Sequence, residues 1–246
     1  TGTQEQLNDT RIAQPALLVV EVAIARHLDS RGVTPAGCAG HSLGEIPALV
    51  VAGALQLPHA VTLVLERARA MSENVPEGGM AAVLGLDADA IEAALPEGAQ
   101  VANYNGPAQT IITGARVALE AAAARLKEAG AKRVMPLPVS GPFHSALMQA
   151  AVARLRAVLA DMPIAPPRLR FVSSVSGRDE TDPERIRRLL ADQVACPVRW
   201  TDVMRCIGPI RAIEIGPGGV LKGLAKRMNG APEVAAASTL EEADGI

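Results

Sequence analysis

Segments with helical periodicity alternate along the chain with short apolar runs. Residues 15–30 are apolar on most sides, which predicts a buried helix, and single apolar faces predict helices over 43–54 and 58–74. The run at 36–39 predicts a short buried strand. Later segments predict helices over 145–159 and 182–193, strands over 169–172 and 212–215, and a last helix beyond the Gly-Pro-Gly-Gly turn at 216–219. This alternation predicts an α/β fold with a parallel sheet.

The pattern changes in the middle of the chain. Strand-like runs at 79–84, 101–103, 110–113 and 133–139 combine with helical segments at 89–95 and 116–129. The resulting order, β-α-β-β-α-β, is that of a ferredoxin-like unit. Loop-like stretches at 76–79 and 140–142 bound it. We therefore predict a catalytic core over 1–76 and 141–246, with a small subdomain inserted over 77–140.

The segment Gly40-His41-Ser42-Leu43-Gly44 matches the pattern G-x-S-x-G. Between a strand and a helix, this pattern is typical of a nucleophile elbow, a sharp turn that presents the serine hydroxyl in a cleft. The backbone N–H of Leu43 would then face a developing oxyanion. The alternative is an ordinary glycine-rich turn in which Ser42 caps the helix.

A nucleophilic serine needs a base, and the chain offers four histidines. His27 lies in the last turn of a predicted helix, His41 adjoins Ser42, and His59 lies at a helix start. By elimination His144, in a loop after a strand, is the candidate base, and a packed loop histidine is the alternative. Because no motif surrounds an acid between Ser42 and His144, we expect a dyad whose imidazole is held by a backbone carbonyl.

Arg67 lies on the apolar face of the helix predicted over 58–74. It shares that face with Ala60, Leu63, Val64 and Met71, at spacings of three and four residues. A charge that points inward needs a partner. That partner is either a structural carboxylate or the carboxylate of a substrate, which a guanidinium grips with two hydrogen bonds. The residues alone leave both readings open.

Seven segments occur in an order and spacing that resemble the malonyl-CoA:acyl carrier protein transacylases and the acyltransferase domains of polyketide synthases. They are QPALL, GHSLGE, LERARAM, MAAVLGL, PVSGPFHSALM, DQVACPVRW and EIGPGGVLKGL, beginning at Gln14, Gly40, Leu65, Met80, Pro138, Asp192 and Glu214. The resemblance covers nearly the whole chain. It implies an α/β-hydrolase-like core with an inserted ferredoxin-like subdomain.

The resemblance also assigns catalytic roles. It implies that Ser42 is acylated, that His144 is the base, and that the backbone carbonyl of Gln193 orients the histidine in place of an acid. The N–H of Leu43 would supply half of an oxyanion hole. In the family, a segment similar to PGQGS near the N-terminus supplies the other half. It has no counterpart here, so the resemblance implies about 50 residues upstream of Thr1, with a first strand.

Substrate selection follows from the same resemblance. Arg67 would hold the free carboxylate of a malonyl group, and Phe143 corresponds to the malonyl-selecting form. One departure is Ile46-Pro47, which replaces an aromatic-small pair and would affect the helix start rather than the chemistry.

The function implied is ping-pong transfer of a malonyl group from malonyl-CoA to the phosphopantetheine thiol of acyl carrier protein, in fatty acid or polyketide synthesis. No cofactor or metal of its own is implied. A serine esterase or thioesterase using the same elbow, and a degenerate scaffold that binds the carrier protein, are the alternatives.

Composition and charge bear on nucleic acid binding, membrane insertion and cellular location. The formal net charge of -2 gives no indication of nucleic acid binding. The longest apolar stretch, residues 16–25, contains Glu21 and is too short to span a membrane. Three scattered cysteines without a CxxC pair are typical of reduced thiols, so we expect a cytoplasmic protein.

Overall fold

The computed structural model describes Thr3, Leu7 and residues 9–107, 109–139 and 141–246. Its helices are α1 Thr10–Ser30, α2 Glu45–Val51, α3 Leu57–Ala70, α4 Ala88–Ala94, α5 Arg116–Glu128, α6 Gln149–Ala160, α7 Pro183–Asp192, α8 Trp200–Ile207, α9 Val220–Ala225 and α10 Leu240–Asp244. Its strands are β1 Gly37–Ala39, β2 Gly79–Leu84, β3 Ala99–Gly106, β4 Gln109–Gly114, β5 Arg133–Pro136, β6 Arg170–Val172, β7 Arg211–Ile215 and β8 Glu233–Ala237. The fold is α/β, as predicted.

The parallel strands form two separate pairs within the described residues. β1 pairs with β6, and β7 pairs with β8, both in parallel. The strand predicted at 36–39 is present as Gly37–Ala39, but its predicted burial is wrong: Gly37 is exposed, and Cys38 and Ala39 are only half-buried. The reason is that, in the described part of the chain, β1 has a hydrogen-bonded neighbour on one side only.

The four remaining strands form an antiparallel sheet in the order β3-β4-β2-β5. Helices α4 and α5 pack against it around the fully buried side chains of Val83, Ile91, Ile112 and Leu126, which gives the ferredoxin-like arrangement. β5 ends at Pro136, earlier than predicted, because Pro136 and Pro138 lack the N–H that a sheet ladder needs. The boundaries 77–140 stay a prediction, and residue 140 lies outside the described residues.

Helices α1 and α3 pack together beside the elbow and form one wall of the site. α3 has Pro58 in its first turn and buries Ala60, Leu63, Val64 and Arg67, as the helical periodicity predicted. α1 begins five residues before the predicted start, at Thr10, because the side chain of Asp9 caps it by accepting from Arg11 N at 2.8 Å.

The helix after the elbow also begins later than predicted. A short 3-10 turn at Ser42–Gly44 precedes α2, which starts at Glu45. Pro47 therefore falls in the first turn of α2, where a missing N–H breaks no intrahelical bond. Helix α8, strand β8 and helix α10 were not predicted, and each is short.

In the part of the chain that the structure describes, no helix is both long and apolar enough to cross a membrane.

Candidate active site

Ser42 lies at the tip of the turn between β1 and α2, in a strained conformation. Its φ is 51°, in the left-handed region that non-glycine residues rarely adopt. The turn is so tight that a Cβ at Gly40 would lie 1.9 Å from the carbonyl carbon of Gly44. Glycine is therefore required at position 40 by the close approach of backbone to backbone. This is the geometry that the G-x-S-x-G pattern predicted.

His144 faces the serine from the loop before α6. Its Nε2 lies 2.9 Å from Ser42 Oγ, although the two residues are 102 positions apart. Its Nδ1 lies 2.9 Å from the carbonyl oxygen of Gln193 and 3.0 Å from that of Cys196. Because a carbonyl can only accept, Nδ1 carries the proton and Nε2 presents a lone pair to the serine. No carboxylate takes part in these contacts.

Burial sets the protonation state of His144. The residue is 4% exposed. The pKa of His144 is lowered from 6.5 to about 4; burial is the largest cause, and the positive charge of Arg67 acts in the same direction. The imidazole is therefore neutral at physiological pH, which is the state that can accept a proton from Ser42.

Arg67 reaches the same serine from α3. The side chain is 3% exposed, and its Nη2 donates to Ser42 Oγ at 2.9 Å and to Gln193 Oε1 at 2.9 Å. Its Nη1 donates to Gln14 Oε1 at 2.6 Å, while Nε has no partner among the described residues. Burial lowers the pKa of Arg67 to about 10, so the group stays charged. No carboxylate in the described part of the chain forms an ion pair with it.

Gln193 occupies a central position through both its backbone and its side chain. Besides the carbonyl that receives His144, its Nε2 donates to the carbonyl oxygen of Ser42 at 3.0 Å and contacts a carboxylate oxygen of Glu45. The side chain is 1% exposed. The resemblance implied the backbone contact, and the structure adds the amide that links Ser42, Arg67 and Glu45.

The sequence reasoning missed Glu45, which lies behind the elbow. Its carboxylate is 1% exposed and accepts from Ser174 N at 2.6 Å, and burial raises its pKa. Gln14, the first residue of the QPALL segment, had no predicted role, yet its Oε1 accepts from Arg67 Nη1. The signal in the sequence was an acid followed directly by the apolar residues Ile46, Pro47 and Ala48, which the structure shows to be buried.

Leu43 and Phe143 each adjoin one member of the Ser42–His144 pair. The side chain of Leu43 is buried, and its N–H lies in the first turn of the 3-10 segment, where N–H groups lack intrahelical acceptors. Phe143 is 9% exposed and packs in the main core beside Gly141.

Within the described residues, the side chains of the other three histidines form no hydrogen bond with Ser42. His27 pairs with Asp244 at 2.7 Å, and His41 Nε2 lies 2.9 Å from Asn105 Oδ1. The Nδ1 of His59 is buried without a partner among the described residues. Within those residues, no group of three or more His, Cys, Asp or Glu side chains could hold a metal ion.

Comparison with known proteins places this geometry in a family. The family profile described as "Acyl transferase domain" matches residues 2–238. The chain belongs to the acyl transferase family. Because the match covers almost the whole chain, both the core and the antiparallel sheet are parts of that family's domain.

Two similar bacterial proteins are both named malonyl CoA-acyl carrier protein transacylase. The malonyl CoA-acyl carrier protein transacylase of Bacillus subtilis is 43% identical over 93% of this chain and 75% of its own length. The protein of that name from Escherichia coli K12 is 44% identical over 92% of this chain and 77% of its own length.

Two solved structures of similar proteins superpose on almost the whole of this chain. The acyl-carrier-protein S-malonyltransferase of Burkholderia pseudomallei superposes with a TM-score of 0.94, at 40% identity, over 99% of this chain and 83% of its own. A malonyl-transacylase solved in complex with a type II polyketide synthase acyl-carrier protein has a TM-score of 0.93 at 40% identity, over 99% of this chain and 82% of its own.

Proposed function

We propose that this protein transfers a malonyl group from malonyl-CoA to the phosphopantetheine thiol of acyl carrier protein. The observation that carries the proposal is the convergence on Ser42 Oγ, which lies 2.9 Å both from His144 Nε2 and from Arg67 Nη2. A neutral base and a buried cation thus both contact the oxygen that would act as the nucleophile. The names of the similar proteins supply the substrate and the acceptor.

Acylation begins when His144 Nε2 removes the hydroxyl proton as Ser42 Oγ attacks the thioester carbonyl carbon of malonyl-CoA. The tetrahedral oxyanion collapses, the C–S bond breaks, and the imidazolium returns its proton to the departing coenzyme A thiolate. The carbonyls of Gln193 and Cys196 hold Nδ1–H during the transfer, in the orienting role that a carboxylate has in a triad. A malonyl-Ser42 ester remains.

Deacylation reverses these roles. The carrier thiol gives its proton to His144 Nε2 as its sulfur attacks the malonyl-Ser42 ester, and the imidazolium then protonates Ser42 Oγ as it leaves. The Leu43 N–H is our candidate donor to the oxyanion of both steps, supported by its place in the first turn of the 3-10 segment.

Arg67 is our candidate for the site of the malonyl carboxylate. The structure offers a desolvated guanidinium beside Ser42, with its Nε lacking a partner among the described residues. A free carboxylate would supply that missing acceptor, whereas an acetyl group would not. Phe143, which precedes His144, is our candidate for limiting the size of the acyl group.

The enzyme needs no cofactor or metal of its own, since the pantetheine group arrives on coenzyme A or on the carrier. A cytoplasmic location fits the three free thiols, Cys38, Cys196 and Cys206.

Intact mass spectrometry after exposure to malonyl-CoA tests the proposal, with and without phosphopantetheinylated carrier protein. We expect one malonyl adduct that is stable alone and moves to the carrier when it is added. Ser42→Ala should give no adduct. Rapid release of free malonate without transfer would instead show a hydrolase, and no adduct on the wild-type protein would show a non-catalytic scaffold.

A further inference from the structure

A second feature outside the Ser42–His144 site is a cavity of about 700 Å³ lined by four arginines. Arg178 lies in the loop after β6, Arg185 on α7, and Arg199 and Arg205 at α8. Three separate segments therefore contribute guanidinium groups to one concave surface. We call this surface the arginine cavity.

The charges of the arginine cavity are only partly balanced. Arg185 pairs with Glu180 at 2.7 Å, and Arg199 and Arg205 share Asp202. The guanidinium of Arg178 has no hydrogen bond or ion pair within the described residues. Four cations thus face two carboxylates, and each guanidinium still has free N–H donors. An unbalanced cluster of this kind attracts an anion with several oxygens.

The loop that carries Arg178 lies at the same end of the β1–β6 pair as the elbow. β1 and β6 are parallel, and their carboxyl ends lead directly to Ser42 and to Ser173. The two ends are joined through Ser174, whose N–H donates to Glu45 behind the elbow. The backbone of Arg199 is fastened to the same loop, because its N–H donates to Ser174 O at 2.7 Å. In α/β folds, ligands bind outside the carboxyl ends of parallel strands.

We propose that the arginine cavity binds the phosphate groups of the coenzyme A thioester. This inference rests on the proposed function, since malonyl-CoA is the substrate that brings phosphates to this edge of the sheet. A phosphate monoester carries nearly two negative charges at neutral pH, and its oxygens match the fork of an arginine. The pantetheine arm separates those phosphates from the thioester, so the cavity acts on binding and not on the chemical step.

The test compares two donors in the acylation half-reaction: malonyl-CoA and malonyl-pantetheine, which has the same arm but no phosphate. The variants are Arg178→Ala, Arg205→Ala and their combination. Arg188→Ala is the matched control, because Arg188 is an exposed arginine on α7 that does not line the cavity. Each single variant should lower kcat/KM for malonyl-CoA by up to about fivefold, mainly through KM, and the loss should shrink at high salt.

Malonyl-pantetheine should react equally well with the wild-type protein and all four variants. An equal loss with both donors would show that the arginines support the fold, and no loss with either would show that the cavity binds no phosphate; both results overturn the proposal. A loss confined to transfer from malonyl-Ser42 to the carrier would assign the cavity to the phosphate of the carrier's prosthetic group and would also overturn it. If the wild-type protein formed no adduct with either donor, the proposed function itself would fail.

Discussion

Replacing Arg67 by alanine tests how the enzyme distinguishes malonyl from acetyl groups. The guanidinium is 3% exposed and donates to Ser42 Oγ at 2.9 Å. Without it, a malonyl carboxylate would enter a buried site that holds no opposite charge, whereas an acetyl group carries no charge to compensate. The substitution should therefore change the choice of substrate more than it changes the chemistry at Ser42.

The magnitude follows from the burial of the pair. Removing one partner of a buried ion pair costs about 3–5 kcal/mol, because the other charge stays desolvated and unpaired. At ~1.4 kcal/mol per tenfold, the ratio of kcat/KM for malonyl-CoA to that for acetyl-CoA should fall by between about two and four orders of magnitude. The acetyl-CoA rate should change by less than about tenfold.

The assay is the rate of covalent acylation of Ser42 with each thioester. Both thioesters are tested on one preparation of each variant. A loss of folded protein then lowers both rates equally and leaves the malonyl-to-acetyl ratio unchanged. Arg69→Ala is the control on the same helix: Arg69 is exposed and pairs with Glu66 at 2.6 Å, a surface contact worth about 0.2–1 kcal/mol. Arg67→Lys keeps the positive charge but loses the planar guanidinium. Its malonyl-to-acetyl ratio should therefore lie between those of Arg67→Ala and Arg69→Ala. An equal fall of both rates in Arg67→Ala would show that Arg67 is structural and would refute the carboxylate assignment.

The geometry of the site leads to four further predictions. Gly40→Ala should abolish acylation and lower the melting temperature, because its Cβ would lie 1.9 Å from Gly44 backbone, while Gly44→Ala, with its nearest atom at 3.9 Å, should be tolerated in both assays. The pH profile of kcat/KM should keep its plateau down to about pH 5 and fall by half near pH 4, since His144 must be neutral and its pKa is about 4; a half-point near 6.5 would contradict this. Because the folded-state pKa of His144 lies below the unfolded value of 6.5, its contribution to the free energy of unfolding should be fully present above pH 6.5 and fall by about 3 kcal/mol towards pH 4. Urea unfolding measures this decline, and His144→Gln, which has no titrating group at this position, should not show it. Glu45→Gln should keep more of the acylation rate and of the melting temperature than Glu45→Ala, because glutamine keeps one acceptor oxygen, whereas alanine leaves both Ser174 N–H and Gln193 Nε2 without their acceptor.

Features that depend on neighbours along the chain were predictable from the sequence. The spacing of three and four residues placed Arg67 on the buried face of α3, because a helix brings such positions together whatever surrounds it. The elbow was equally local, since Gly40, Ser42 and Gly44 lie within one turn. Strand and helix order in the antiparallel sheet followed from short apolar runs and the turns between them.

Contacts between distant segments needed the folded chain. The hydrogen bond from Ser42 to His144 spans 102 positions, and His144 reaches it from a loop in which its own φ is 57°. The contact between Gln193 and Glu45 spans 148 positions. Elimination among four histidines selected His144, but only packing shows that its Nδ1 meets two carbonyls and that burial keeps it neutral.

Sequence periodicity by itself determined which residues point inward, because each helix or strand repeats its own geometry along the chain. It did not determine how far each element is covered, and β1, apolar enough to be predicted buried, is half-exposed because one of its edges has no strand beside it in the described residues. It also did not determine the arginine cavity, whose four guanidiniums, at positions 178, 185, 199 and 205, come from three separate segments. Burial, charge balance and hydrogen-bond partners are sums over groups that meet in space, and for this chain those groups meet only through the packing of helices and sheets.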